Sequence, residues 1–330
     1  MPQPRTRPRS APRLVARGLA LACAAALAGC VPGRGPGPAG EPEARSLFGQ
    51  PLYAPEVTLE VRQRLEAQLD SARLLYEKDP DQADALLWYG RRAAALGRYR
   101  EAISLFSEGI RKHPRDPRFY RFRGHRWITV RRFDRAVGDL EHAVRLVRGQ
   151  PDQVEPDAAP TTPEPLGTLQ GNIWYHLGLA YYLRGEFARA APAFRASLGL
   201  ARNDESRVAA ADWLYMSLRR LGRASEAAEV LRPFGPGMQL RDNVPYLRRI
   251  RLYRGELPPD SLLDATGRNA LEMATQAYGV GNWYLYNGRQ SEAEAIFWRI
   301  TSAENWAPFG YIAAEADLRR IARMQQRRPQ

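Results

Sequence analysis

The chain has 330 residues, 44% of them hydrophobic and 26% charged, with a formal charge of +13. That apolar share suits a folded chain, and no alternating run of β-branched residues occurs, so an all-α protein is expected. Two cysteines, one of them inside an apolar leader, exclude a disulfide-stapled or cysteine–zinc architecture. Five arginines (Arg5, Arg7, Arg9, Arg13, Arg17) fall in the first 17 residues, and without them the charge is still +8. Lys78 and Lys112 are the only lysines. Arginine enrichment of this kind fits a GC-rich genome, and a basic surface can also attract acidic partners.

Residues 18–29, behind the arginine-rich start, form an apolar run of 12, too short to cross a bilayer as a helix. Leu27, Ala28, Gly29 and Cys30 follow in register and closely resemble the bacterial lipobox. That resemblance implies removal of residues 1–29 as a lipoprotein signal peptide, with Cys30 as the lipidated first residue. Multiple acyl chains would anchor firmly where a single one holds only marginally. Val31 in place of aspartate then favours, by the same resemblance, a periplasm-facing position on the outer membrane. Residues 30–57 are rich in proline and glycine without helical periodicity, and are expected to be a flexible tether.

Residues 58–330 carry a recurring beat. Gly90, Gly97, Ala102 and Phe106 stand at offsets of 7, 5 and 4. The offsets return as Gly124, Arg131, Ala136, Leu140; as Gly178, Gly185, Ala190, Phe194; as Tyr215, Gly222, Ala227, Leu231; and as Gly281, Gly288, Ala293, Phe297. A small residue on a first helix, a glycine ending it and an alanine on a second helix describe a closely packed hairpin. On these positions the chain resembles a tetratricopeptide-repeat protein, which implies an α-solenoid of stacked helical hairpins. The repeats are placed near 83–116, 117–148, 171–204, 208–234 and 274–305, with a degenerate unit over 241–265. Ahead of them Leu65, Leu69, Leu74 and Leu75 stripe a helix expected to cover one end of the stack. Residues 308–323, with Phe309, Ile312, Ala316 and Ile321, are expected to cover the other.

Between the second and third units, residues 149–170 form a proline-rich insertion. It is expected to be disordered, and deletion of 152–163 to leave stability unaltered. The four histidines (His113, His125, His142, His176) show no metal spacing, and no catalytic or cofactor motif occurs in a matching context. The expectation is a non-enzyme with no cofactor and no metal. Nucleic acid is disfavoured by the export signal, and a small-molecule ligand is not expected. Trp88, Trp127, Trp174, Trp213 and Trp283 recur on first helices, where packing between helices is the simplest role and a sugar-stacking platform the alternative.

Tetratricopeptide proteins bind through the concave groove lined by the first helix of each unit. Carried over by that resemblance, the groove positions are Arg118, Arg121, His125, Asn172, Tyr175, Tyr182, Asp212, Arg219, Tyr278 and Asn282. Arginines beside tyrosines suit an acidic peptide segment, with guanidinium forks meeting carboxylates. The expected function is a lipid-anchored envelope scaffold that binds other envelope proteins or peptides through this groove. The alternative is a solenoid lipoprotein that binds carbohydrate or peptidoglycan.

Overall fold

The computed structural model describes residues 40–156, 167–235, 237–264 and 270–326. The leader, Cys30 and the first part of the tether therefore lie outside the described residues, as does the centre of the insertion (157–166).

A small antiparallel ladder opens the described chain, β1 (Ala44–Arg45) against β2 (Pro51–Leu52). The single helix α1 (Leu59–Lys78) follows, its start capped by Thr58, whose hydroxyl accepts from the Val61 amide. Hairpins then alternate along the chain. They are α2 (Ala83–Ala95) with α3 (Tyr99–Lys112), and α4 (Pro117–Thr129) with α5 (Phe133–Val147). A second ladder, β3 (Val154–Glu155) against β4 (Gly167–Thr168), precedes α6 (Leu169–Arg184) with α7 (Phe187–Leu200). Next come α8 (Asp204–Arg220) with α9 (Ala224–Leu231), and α10 (Val244–Tyr253) with the short α11 (Pro259–Asp264). The series closes with α12 (Ala270–Tyr286), α13 (Gln290–Thr301) and α14 (Phe309–Gln326). The all-α solenoid expected from the beat is the observed architecture.

Each position of the beat has a visible cause. A Cβ added to Gly90 would stand 2.4 Å from the Phe106 ring, and one added to Gly178 would stand 2.8 Å from Phe194. The same pairing joins Gly124 to Leu140 and Gly281 to Phe297. The first-helix glycine therefore makes room for the large residue at the end of the beat, whereas the invariant alanines are simply fully buried. The helix-ending position is left-handed, with φ of 77° at Gly97 and 83° at Gly185. Around Gly185 the Glu186 amide donates to Tyr181 and the Gly185 amide to Tyr182, a doubly bonded helix end. Arg131 holds the equivalent place with φ of 62°, and the Arg132 and Arg131 amides donate in the same pattern to Trp127 and Ile128. It is the one non-glycine residue with positive φ among those described.

Arg131 earns that conformation through its side chain. Its guanidinium Nε lies 2.9 Å from Glu315 on α14, and both side chains are only 2% exposed. Nη2 donates to the Trp306 carbonyl at 3.0 Å, and Glu315 also accepts from the Leu47 amide. Two turns of α14 carry a second buried site. Asp317 receives Arg220 at 2.9 Å and Arg320 at 2.6 Å. The Tyr278 hydroxyl donates to Asp317 at 2.9 Å and stands 2.8 Å from the Tyr182 hydroxyl, so Tyr182 donates to Tyr278. Burial alone would raise the Asp317 carboxyl, but Arg220 and Arg320 more than offset it and hold it below the usual carboxylate range.

These contacts correct three expectations. Residues 308–323 do not form an outer cover: residues 310–318 are buried on every side, and α14 packs against α12, α13 and α6. The second part of the expected tether is not free either. Its hairpin docks through Leu47 on Glu315, through the Tyr53 carbonyl on the Trp306 indole at 2.5 Å, and through buried Leu52. On α1, Leu69 and Ala72 face inward, while Leu74 and Leu75 are about 60% exposed and do not belong to the stripe.

Alanine substitutions at glycines should separate close approach from open helix surface. Gly178→Ala should cost roughly 1–3 kcal/mol, because the Phe194 ring is fully buried and cannot give way. Gly199→Ala on α7 meets nothing within 4 Å and should stabilise by about 0.5–1 kcal/mol. Urea unfolding of the two variants checks the sign of each.

Candidate partner-binding cavity

The first helices α2, α4, α6 and α8 line one side of a cavity of about 480 Å³. The β3–β4 ladder, Asn243, Tyr246 and Phe309 complete its rim. Aromatic rings and arginines stand among small and polar residues in its walls. Arg121 pairs with Glu155 at 2.7 Å, both nearly buried, and its guanidinium lies over the Phe122 ring at 4.2 Å. Arg91 lies over Trp88 at 4.0 Å and donates to the Pro156 carbonyl at 2.6 Å.

Arg126 is different. Its guanidinium stands 5.4 Å from the Tyr99 ring, and no carboxylate pairs with it among the described residues. Burial, reinforced by the nearby Arg121 charge, pushes it down to about 10, so it remains a cation at neutral pH. With His125 and Phe309 it separates the main cavity from a smaller one of about 250 Å³. Asn172 also faces the main cavity, and its side-chain amide makes no hydrogen bond among the described residues.

The His125 and His176 rings meet with centroids 4.4 Å apart, and Phe309 lies 5.2 Å from the first and 5.7 Å from the second. Burial pushes both imidazoles well below their ordinary value, and the surrounding arginines push the same way. His176 Nδ1 lies 2.7 Å from the Asn172 carbonyl, which fixes it as the protonated nitrogen of a neutral ring. Tyr175 completes this wall, its hydroxyl 3.4 Å from that of Tyr246.

Four of the ten expected groove residues therefore meet at one cavity: Arg121, His125, Asn172 and Tyr175. The other six do not. Arg118 is held by Asp116 and, at 2.6 Å, by Asp84. Tyr182, Asp212, Tyr278 and Asn282 are fully buried. Tyr182 and Tyr278 serve Asp317, Asn282 accepts from Arg220 at 3.1 Å, and Asp212 pairs with Arg249 at 2.7 Å. Arg219 bridges Tyr215 and Asn287 and lies 4.2 Å over the Tyr286 ring. For the four buried residues the reason is that α10, α12 and α14 pack among the later first helices, turning groove positions into interior ones; Arg118 and Arg219 are held by side chains beside them.

The described ends of the insertion also depart from the expected disorder. Besides the β3–β4 pairing and the Arg121–Glu155 ion pair, Asp152 accepts from the Gln170 amide at 3.0 Å, and Thr168 caps α6. Deleting 152–163 would strand the buried Arg121 charge, so it is expected to destabilise rather than be neutral. The register of groove positions does not include Arg91, Arg126, His176 or Phe309. Arg126 adjoins His125, but five residues after Arg121 it stands about 140° around α4, so spacing alone gives no signal for it.

Two models of the tetratricopeptide repeat match the chain, at residues 83–125 and 169–207. Those two stretches carry tetratricopeptide repeats, and such repeats form scaffolds for association between proteins. No curated protein matches it. Among solved structures it is similar to YrrB, described as a tetratricopeptide protein with an unusual peptide-binding site. That match has 13% identity, covers 76% of this chain and 99% of the other, and has a TM-score of 0.42. A tetratricopeptide protein from Parabacteroides merdae matches at 15% identity over 78% of this chain and 93% of its own, with a TM-score of 0.45. MamA matches at 14% over 61% and 99%, with a TM-score of 0.40.

The two histidines make a pH prediction. Their folded values lie below the unfolded one, so below about pH 6.5 the unfolded chain takes up protons that the native protein refuses. Above that pH they leave stability unchanged. Below it each should remove up to about 1.4 kcal/mol per pH unit, until its own depressed value is reached. Denaturant unfolding across this range should show a shallower pH dependence in the His125→Asn, His176→Gln variant, and identical slopes would contradict the assignment.

Proposed function

We propose that the protein is a non-catalytic, lipid-anchored scaffold of the bacterial envelope, on the outer membrane and facing the periplasm, whose cavity holds an acidic segment of a partner protein. The observation that carries the binding part is Arg126, a cation at a partly aromatic cavity that pairs with no carboxylate among the described residues. A partner's carboxylate there would gain a charge-assisted hydrogen bond in a low-dielectric site. The Asn172 amide stands ready for the partner's backbone, and Phe122, Tyr175, Tyr246 and Phe309 supply contact area. A volume of about 480 Å³ fits a few side chains of an extended segment rather than a folded surface. The carbohydrate alternative loses its main support, because no tryptophan lines the cavity and Trp213 is buried in the core.

Arg121 and Arg118 are committed to acids of the chain itself, so Arg126 is the residue to change. Arg126→Gln should weaken binding of glutamate- and aspartate-rich peptides by roughly tenfold or more while leaving the melting temperature unchanged or higher. Fluorescence anisotropy against the same peptides with amides in place of acids reads this directly. Equal affinity for the acidic and amide peptides would contradict the proposal. For the anchor, mass spectrometry of the mature protein should show acylated Cys30, and Cys30→Ser should release the protein from the membrane fraction. An unmodified N-terminus elsewhere would remove that part alone.

A further inference from the structure

A second basic feature lies away from the cavity. Two hollows of about 400 Å³ and 620 Å³ share Leu47, Arg131, Arg132 and Arg319, and so form one cleft. It runs from the N-terminal hairpin, across the turn between α4 and α5, to the last turns of α14. Arg131 and Arg320 at its floor are neutralised from behind by Glu315 and Asp317. Both acids lining its α5–α6 end, Asp134 and Glu186, pair with Arg184 at 3.2 Å and 2.8 Å. Arg45, Arg132, Arg135, Arg319 and Arg323 remain, and none of them pairs with a carboxylate among the described residues; Glu43 also lines the cleft and accepts from the Arg100 amide at 2.8 Å. Arg132, Arg135 and Arg323 are exposed. Arg135 stands 4.9 Å from the Trp127 ring, which holds its charge at the surface.

We infer that this cleft rests on the phosphate headgroups of an anionic membrane surface. The inference builds on the lipid-anchor reading, and two observations direct it. The first is charge: five arginines unpaired with acids, against the one carboxylate of Glu43, suit a layer of phosphates, which guanidinium forks meet bidentately. The second is chain length. Ten residues separate Cys30 from Gly40, a reach of at most about 35 Å, and the hairpin that begins there forms one wall of the cleft through residues 42–47. A lipid on Cys30 would therefore keep this cleft within reach of the bilayer. The cleft then fixes the orientation of the solenoid, and arginine near an anionic surface adds to binding residue by residue.

The test compares partition of the full-length protein onto phosphatidylcholine vesicles with and without added phosphatidylglycerol. The ratio of the two reports the cleft, and binding to the neutral vesicles reports the anchor, so the two readings fail separately. Arg132→Glu, Arg319→Glu and Arg323→Glu together should lower the anionic-to-neutral ratio at least about tenfold with neutral binding unchanged. The same charge change at Arg62, Arg64 and Arg111, exposed residues on α1 and α3 that do not line the cleft, should leave most of the ratio intact. An equal loss in both triple variants would overturn the proposal, since only net charge would matter. Removal of the increment by inorganic phosphate, at matched ionic strength, would also overturn it by assigning the cleft to a free ion.

Discussion

The buried pair between Arg131 and Glu315 ties together parts of the chain that the repeat alone would leave apart. It spans 184 residues, joining the turn of the second unit to the last helix, and the same carboxylate binds the backbone of the N-terminal hairpin. Charges so deeply buried are tolerated only when paired and hydrogen-bonded, and removing one partner of such a pair is severe. Burial lowers the Arg131 guanidinium while Glu315 opposes that shift. The backbone at Arg131 also bears a left-handed conformation that glycine would adopt more cheaply. An arginine persists in a glycine's place because its side chain closes the superhelix onto its own C-terminus.

That closure divides the concave side into two chemistries. Along the later units α14 packs against α6, α12 and α13, where Tyr182 meets Tyr278 and Asp317 takes Arg220 and Arg320, while Asp212 on α8 pairs with Arg249 on α10. Along the earlier units α14 has not yet begun, and only its first residue, Phe309, reaches the rim. The space left there leaves Arg126 without a carboxylate and the Asn172 side chain without a hydrogen bond among the described residues. A site for a partner and an interior that excludes one are thus made from the same groove positions, and what decides between them is whether the chain's own helix covers them.

The repeat was legible in the sequence because its causes are local. Gly90 with Phe106 and Gly178 with Phe194 are contacts within one hairpin, so a fixed spacing records them. The residue that breaks the pattern, Arg131, marked the centre of the long-range network, yet nothing in its spacing pointed to Glu315. Tyr182 and Tyr278 occupy groove positions by register, and their burial depends on a helix packed over them from far along the chain. Proline and glycine give the N-terminal hairpin the composition of a tether, whereas its docking rests on Glu315 and Trp306, more than 250 residues away. Local periodicity recorded the hairpins; it carried no record of which groove positions the last helix would cover.

In this structure α14 is an interior element of the solenoid rather than a loosely held end. Native-state hydrogen exchange on the full-length protein tests this. The amides of residues 312–318 should exchange among the slowest in the molecule, opening only with global unfolding. Fast exchange there, with α6 and α12 still protected, would show a helix that frays from the groove, and the division of the concave side into a filled half and an open half would be wrong.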